Sequence, residues 1–211
     1  MAGSGTGTPA SSGNISKATI SRIILDRLRQ QGAELVDIED ELQHVLYDIS
    51  SRDNFLTRMS TAVTVASTDY VSKPADTKEI FSMAVSTNNK IIDPILSKEY
   101  EDRIDSGDTV TTGEPSEYTE RADLLYIYPR PDAVYTLNIH NSYYHPSGTS
   151  SIEFEPRFNE AIITGTLSSL WSGQLSSRPQ SINMFQLNKN LFETELIKFK
   201  GLTEQPRTAK Y

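Results

Sequence analysis

Residues 37–65, DIEDELQHVLYDISSRDNFLTRMSTAVTV, change their apolar period midway, and that change sets the fold class. From Asp37 to Arg52, Ile38, Leu42, Val45, Leu46 and Ile49 recur every three or four positions. Glu39, Asp40, Glu41 and Asp48 fall on the other side, so this stretch predicts a helix with one buried stripe. From Phe55 to Val65 the pattern alternates and is rich in Thr, Val and Met, which predicts a strand. A helical segment therefore gives way to a β-rich one just after Asp53.

Working towards the N-terminus, Lys17–Gln30 predicts a first helix with the stripe Ile20, Ile23, Ile24 and Leu28. Ser16 can cap its amides and Gly32 can end it. The short link to the second helix predicts an antiparallel helix pair. Residues 1–14, MAGSGTGTPASSGN, read as a flexible arm.

Working towards the C-terminus, strands are expected at Glu79–Val85, from Ile91 and Ile92, at Leu124–Tyr128 and at Val134–Tyr143. Thr87-Asn-Asn-Lys90 is a hairpin turn, because Asn tolerates positive φ. Pro129-Arg-Pro-Asp132 is a stiff turn, and Ser97–Ile104 predicts a short helix. Helical spacing returns at Pro156 and runs to Trp171, carrying Phe158, Ala161, Ile162, Gly165 and Leu170. A last helix is expected from Gln180 to Lys200, stopped by Gly201. It bears two apolar stripes on nearly opposite sides: Ile182, Phe185, Phe192, Leu196 and Phe199, and Met184, Leu187 and Leu191. Either both stripes pack within one bundle or the second meets another subunit.

The expected architecture is α+β, a helical bundle formed by N- and C-terminal helices with an inserted antiparallel β-rich segment. Its parts are a flexible arm (1–16), the bundle (17–52 and 153–200), the β-rich domain (53–152) and an extended tail (201–211).

The 211 residues carry 20 basic and 28 acidic side chains, a net charge of −8, and no cysteine. That excludes a disulfide scaffold, a thiolate zinc site and a cysteine nucleophile. Broad phosphate binding is disfavoured, because such affinity comes from neutralising phosphates. Ten acids lie between Asp93 and Asp123 against Lys98, Arg103 and Arg121, a local net of −7. Residues 179–211 carry five basic and three acidic residues, a net of +2. No stretch is apolar enough to span a membrane, and residues 1–14 lack the pattern of a signal peptide. The chain is expected to be made and used without secretion.

No catalytic constellation emerges. Gly3, Gly5 and Gly7 have no preceding strand and read as a linker. His44 lies on a helix flank, and the odd separation of His140 and His145 puts them on opposite strand faces. Without a matching carboxylate pattern, no metal site is expected. There is no G-x-S-x-G elbow, and Glu153 with Glu155 is no more than two neighbouring acids. No catalytic residue, metal or cofactor is therefore predicted. Tyr126, Tyr128, Tyr135, Tyr143 and Tyr144 could stack on sugar rings or bases, but with few basic neighbours a sheet face packed against helices is the favoured use.

The order of motifs then becomes informative. Asp37-Ile-Glu-Asp-Glu-Leu42 opens the second helix of a pair, and Asp69-Tyr-Val-Ser-Lys-Pro74 precedes the next strand. Gly113-Glu-Pro-Ser-Glu-Tyr118 is a G-x-P-x-x-Y turn, and Leu124-Leu-Tyr-Ile-Tyr-Pro-Arg-Pro131 is a strand ending in P-x-P. The strand with Tyr143 and Tyr144 and the helix from Pro156 follow. From about Lys17 to Lys200 this order resembles the head-to-tail adaptor (head-completion, connector) proteins of tailed bacteriophages.

The resemblance implies a structural virion protein rather than an enzyme. Such a protein sits in the neck, between head and tail, and is made in the host cytoplasm. It implies a homo-oligomer, a dodecameric ring beneath the portal protein. The ring extends the channel through which viral DNA passes without specific binding, and it docks a downstream neck or tail protein. Portal docking then falls to Leu196, Phe199, Lys200, Arg207, Lys210 and Tyr211, and the subunit contact to Met184, Leu187 and Leu191. Glu99, Glu101, Asp102, Asp105 and Asp108 become candidates to face the lumen or the tail, where like charge keeps phosphates from sticking. The competing expectations are a neck stopper or tail-completion protein and a β-rich carbohydrate-recognition module. The module requires an exposed platform of tyrosines.

Overall fold

The computed structural model describes residues 15–33, 36–105 and 111–203. In chain order the elements are α1 (Lys17–Gln30), α2 (Glu39–Arg52), β1 (Thr57–Val63), β2 (Tyr70–Ser72), β3 (Thr77–Val85), β4 (Ile91–Pro94), α3 (Ser97–Asp105) and β5 (Thr112–Gly113). There follow β6 (Glu117–Arg121), β7 (Leu124–Tyr128), β8 (Arg130–Pro131), β9 (Thr136–Tyr143), a 3-10 turn (Pro156–Phe158), α4 (Asn159–Ser172) and α5 (Ser181–Thr203). The fold is α+β, with five helices among the described residues and a large, mostly antiparallel sheet. The chain divides into two compact units, one drawn from Met1–Phe55 and His145–Tyr211, the other Leu56–Tyr144. The flexible-arm reading of 1–16 lies outside the described residues except for Ile15 and Ser16, as does the tail from residue 204.

In the helical unit α4 is the hub, and α1, α2 and α5 each pack on it. Beside these contacts the direct α1–α2 contact is minor, so the expected helix pair is joined through α4. Ala161 to Ser168 and both Leu170 and Trp171 are buried, which makes α4 apolar all round rather than striped. Its buried hydroxyls are satisfied along the helix: Thr164 Oγ1 donates to the Glu160 carbonyl at 2.8 Å and Thr166 Oγ1 to that of Ile162 at 2.8 Å. Gly165 marks the closest approach. A β-carbon there would lie 2.8 Å from Val45 of α2 and 2.9 Å from the Phe192 ring of α5.

Polar ties join the same helices. Arg27 of α1 donates two bonds to Glu160, at 2.6 and 2.9 Å. Trp171 Nε1 donates to Gln31 Oε1 at 2.7 Å. Arg52 of α2 donates to both carboxylate oxygens of Glu193, at 2.8 and 2.9 Å, and lies over the Phe192 ring at 4.9 Å. α1 begins as its sequence indicates, with Ser16 Oγ accepting from the Thr19 amide, and Gly32 follows its end at φ +77°. α2 starts at Glu39 rather than Asp37, because Asp37 stays outside the helix and its carboxylate accepts from the Glu39 amide at 3.1 Å. Residues 145–152 belong to this unit: the Lys17 amide donates to the Ser150 carbonyl and the Ile152 amide to that of Ile15.

The other unit is a seven-stranded sheet in the order β1-β9-β3-β4-β6-β7-β2, with a small β5-β8 pair. Only β4–β6 within the large sheet is parallel. Laid flat, seven strands would hold the edges about 29 Å apart. The seven Cα steps from Val63 to Tyr70 reach at most about 25 Å. The sheet is therefore curled, β1 approaches β2, and the inward side chains surround a core of Val71, Met83, Val85, Ile92, Leu125 and Ile127, with Leu137 and Ile139. The hairpin after β3 forms as read, with Asn89 at φ 56°. Arg130–Pro131, expected as a turn, is instead a two-residue strand parallel to Thr112–Gly113. Glu117–Arg121, which begins inside the expected turn Gly113–Tyr118, is the strand β6.

Candidate assembly surfaces

α5 presents two unlike sides. Phe192, Leu196 and Phe199 are buried against the helical unit, with the Phe199 ring 4.3 Å from that of Phe158. Ile182, assigned to the same stripe, is 69% exposed, because the packed side is set by Ser181, Asn188 and Phe192. On the other side Met184 is half-buried, and Leu187 and Leu191 are 49% and 43% exposed. Within one chain the second stripe therefore does not pack inside the bundle.

These placements bear on two of the six expected docking residues. Leu196 and Phe199, at 2% and 8% exposure, form the unit's own core and offer no surface to a portal. The Lys200 side chain and Arg207, Lys210 and Tyr211 lie outside the described residues. Gly201 does not stop the helix, which runs to Thr203.

The acidic candidates cluster on α3. Glu99 folds back to accept from the Leu96 amide at 3.1 Å, which caps its own helix. Glu101 pairs with Arg121 at 2.9 Å, and Arg103 with Glu117 at 2.6 Å. Asp102 and Asp105 are exposed, and Asp108 lies outside the described residues. Two of the three basic residues in this acidic stretch are thus already bound to acids.

α3 is anchored by a tyrosine cluster that the sequence did not reveal. Tyr100 is buried, and its hydroxyl donates to Asp69 Oδ2 at 3.2 Å. Its ring meets Tyr126 edge-on at 5.7 Å, and Tyr126 lies 6.0 Å from Tyr70. The Arg121 guanidinium covers both Tyr100 and Tyr126, at 5.5 and 5.4 Å. Burial, reinforced by the Asp69 carboxylate, pushes the Tyr100 hydroxyl up to about 12. Tyr118 is likewise pushed up to about 12, chiefly by burial. Tyr135 reaches about 12 mainly because its hydroxyl donates to Asp132 at 2.6 Å.

His145 is buried and stacked on Phe154 at 5.8 Å. Its Nε2 accepts from the Glu153 amide at 3.3 Å, so the proton sits on Nδ1, which donates to the Pro146 carbonyl at 3.0 Å. Among the described residues no cluster of His, Asp and Glu could hold a metal ion, and no helix is long and apolar enough to cross a membrane. Tyr126, Tyr128, Tyr135, Tyr143 and Tyr144 are each buried or half-buried. Tyr128 lies under Arg103 and Tyr143 under Arg58, so the five do not make the open platform that sugar stacking requires.

No curated protein matches the chain. The family model described as SU10 adaptor protein matches residues 17–204, from the first residue of α1 past the last of α5. The chain therefore belongs to the SU10 adaptor protein family, a family of phage adaptors.

Proposed function

We infer that this phage adaptor is a head-to-tail adaptor: a structural protein of the virion neck that forms a ring beneath the portal, dodecameric as in the proteins it resembles. The ring extends the DNA channel and carries the next neck or tail component, and its work is assembly without bond chemistry. The observation behind this reading is the two-sided α5. One side is buried in the subunit, while Leu187 and Leu191 stand in solvent on the other. An apolar pair exposed on a packed helix suits a contact between subunits, with Met184 at its margin. The acids of α3, Asp102 and Asp105 foremost, suit a lumen or a tail-facing rim, where negative charge keeps DNA moving. Portal docking falls to the residues that follow α5.

Electron microscopy of the purified chain with its portal tests this reading. A closed twelve-fold ring on the portal is expected from the natural sequence, and none from the double variant Leu187→Asp, Leu191→Asp. A chain that stays monomeric on portals at high concentration would refute the ring.

A further inference from the structure

We propose that Leu187 and Leu191 of one subunit seat in the cleft between α2 and α5 of the next, so that each subunit carries both halves of a repeating contact. This rests on the ring reading above and names the surface that completes it.

The cleft has a volume of about 240 Å³ and lies over Gly165 and Ser168 of α4. Its walls are two rows of residues spaced four apart, His44, Asp48 and Arg52 on α2 and Phe185, Lys189 and Glu193 on α5. Leu187 and Leu191 are spaced in the same way, and such a ridge fits along a trough whose walls share its spacing. Val45 and Phe192 bring buried apolar surface to the lining of the cleft, beside the small residues Gly165, Ser168 and Ser169.

The charges on the cleft walls are largely engaged with one another. Arg52 bridges Asp48 and Glu193, both at 2.8 Å, and Lys189 lies over the Phe185 ring at 5.4 Å. The rim is therefore neutral as a whole: Asp48, Arg52 and Glu193 pair with one another, and Lys189 rests on an aromatic ring. Covering the paired carboxylates and guanidinium with leucines strands none of those three, and Lys189 can keep its long chain along the ring with its ammonium at the edge of the contact.

The two halves point in different directions. At 100° per residue, Leu187 and Leu191 project about 160° around α5 from Lys189 and Glu193. Ridge and cleft thus lie on opposite flanks of one helix. A contact between two different patches of the same subunit is head-to-tail, the kind that builds a ring when the rotation it repeats closes on itself. Leucine against leucine across a two-fold axis would instead stop at a dimer and leave the cleft empty.

The chain has no cysteine, so introduced pairs report cleanly. Two double variants test the contact on portal-bound rings under mild oxidation: Leu187→Cys with His44→Cys, and Leu191→Cys with Lys189→Cys. At least one pair is expected to give a ladder of covalent oligomers up to the full ring on denaturing gels, while each single variant stays monomeric. Dimers from Leu187→Cys or Leu191→Cys alone would overturn the proposal in favour of a two-fold contact. Rings visible by microscopy without a ladder from either pair would overturn it while leaving the ring reading intact. Absence of rings from the natural chain would refute the ring reading itself.

Discussion

Gly165 of α4 and Phe192 of α5 approach so closely that a β-carbon on the glycine would stand 2.9 Å from the phenyl ring. Across the same helix Val45 would be 2.8 Å away. Three helices meet at this residue, and the absence of a side chain sets how near they come.

Gly165→Ala is therefore expected to destabilise the helical unit. Alanine favours a helix over glycine by about 1 kcal/mol, but forcing a methyl group into a filled core costs about 1–3 kcal/mol. Neither Val45 nor Phe192 is a flexible chain end, so the clash should win, with a net loss of up to about 2 kcal/mol. Urea denaturation measures it, and a gain in stability would show that the helices can spread at no cost.

Two pairs of substitutions on α5 should separate folding from assembly. Leu196→Asp with Phe199→Asp places two carboxylates in the core, a penalty of about 5 kcal/mol or more, comparable to the whole stability of a domain. Circular dichroism should show the helical unit unfolded. Leu187→Asp with Leu191→Asp alters only exposed positions, and stability should change by about 1 kcal/mol or less. If the first variant kept its helical signal and melting temperature, the burial of Leu196 and Phe199 would not be what holds α5 in place.

Three of the ten tyrosines should ionise late. Tyr100, Tyr118 and Tyr135 are raised from 10.0 to about 12, so their neutral forms are favoured by folding. That contribution is fully present below pH 10 and is lost as pH rises through 12. A tyrosinate absorbance titration should show a late step that merges with alkaline unfolding of the sheet unit. Tyr100→Phe should shrink that step by one tyrosine and cost about 1 kcal/mol, for the lost bond to Asp69.

The single tryptophan reports on the helices alone. Trp171 is buried and bonded to Gln31, so its emission should be blue-shifted when folded and move red as the helical unit opens. Gln31→Ala strands the indole N–H and should cost about 1–3 kcal/mol by the same signal. Unchanged stability would mean that another acceptor serves the indole.

Much of this molecule is written in local periodicity. Ile20, Ile24 and Leu28 of α1 and Leu42, Leu46 and Ile49 of α2 are buried as their spacing requires, because each helix has one apolar side and one solvated side. Ser16, Gly32 and Asn89 sit where capping and positive φ place them, since those preferences belong to the residue itself. The order of motifs also carried the family. Other features depended on neighbours distant in sequence. Glu117–Arg121 is too polar to read as a strand, and it becomes one because β4 and β7 flank it. Tyr100 and Arg121 lie far apart in the chain and meet only when α3 folds onto the sheet. α5 gives the clearest division. Its sequence determined that two apolar stripes lie on opposite sides, because the helical repeat assigns faces. Which stripe is core and which is surface was decided by α4, whose closeness at Gly165 draws in Phe192, Leu196 and Phe199 and leaves Leu187 and Leu191 in solvent.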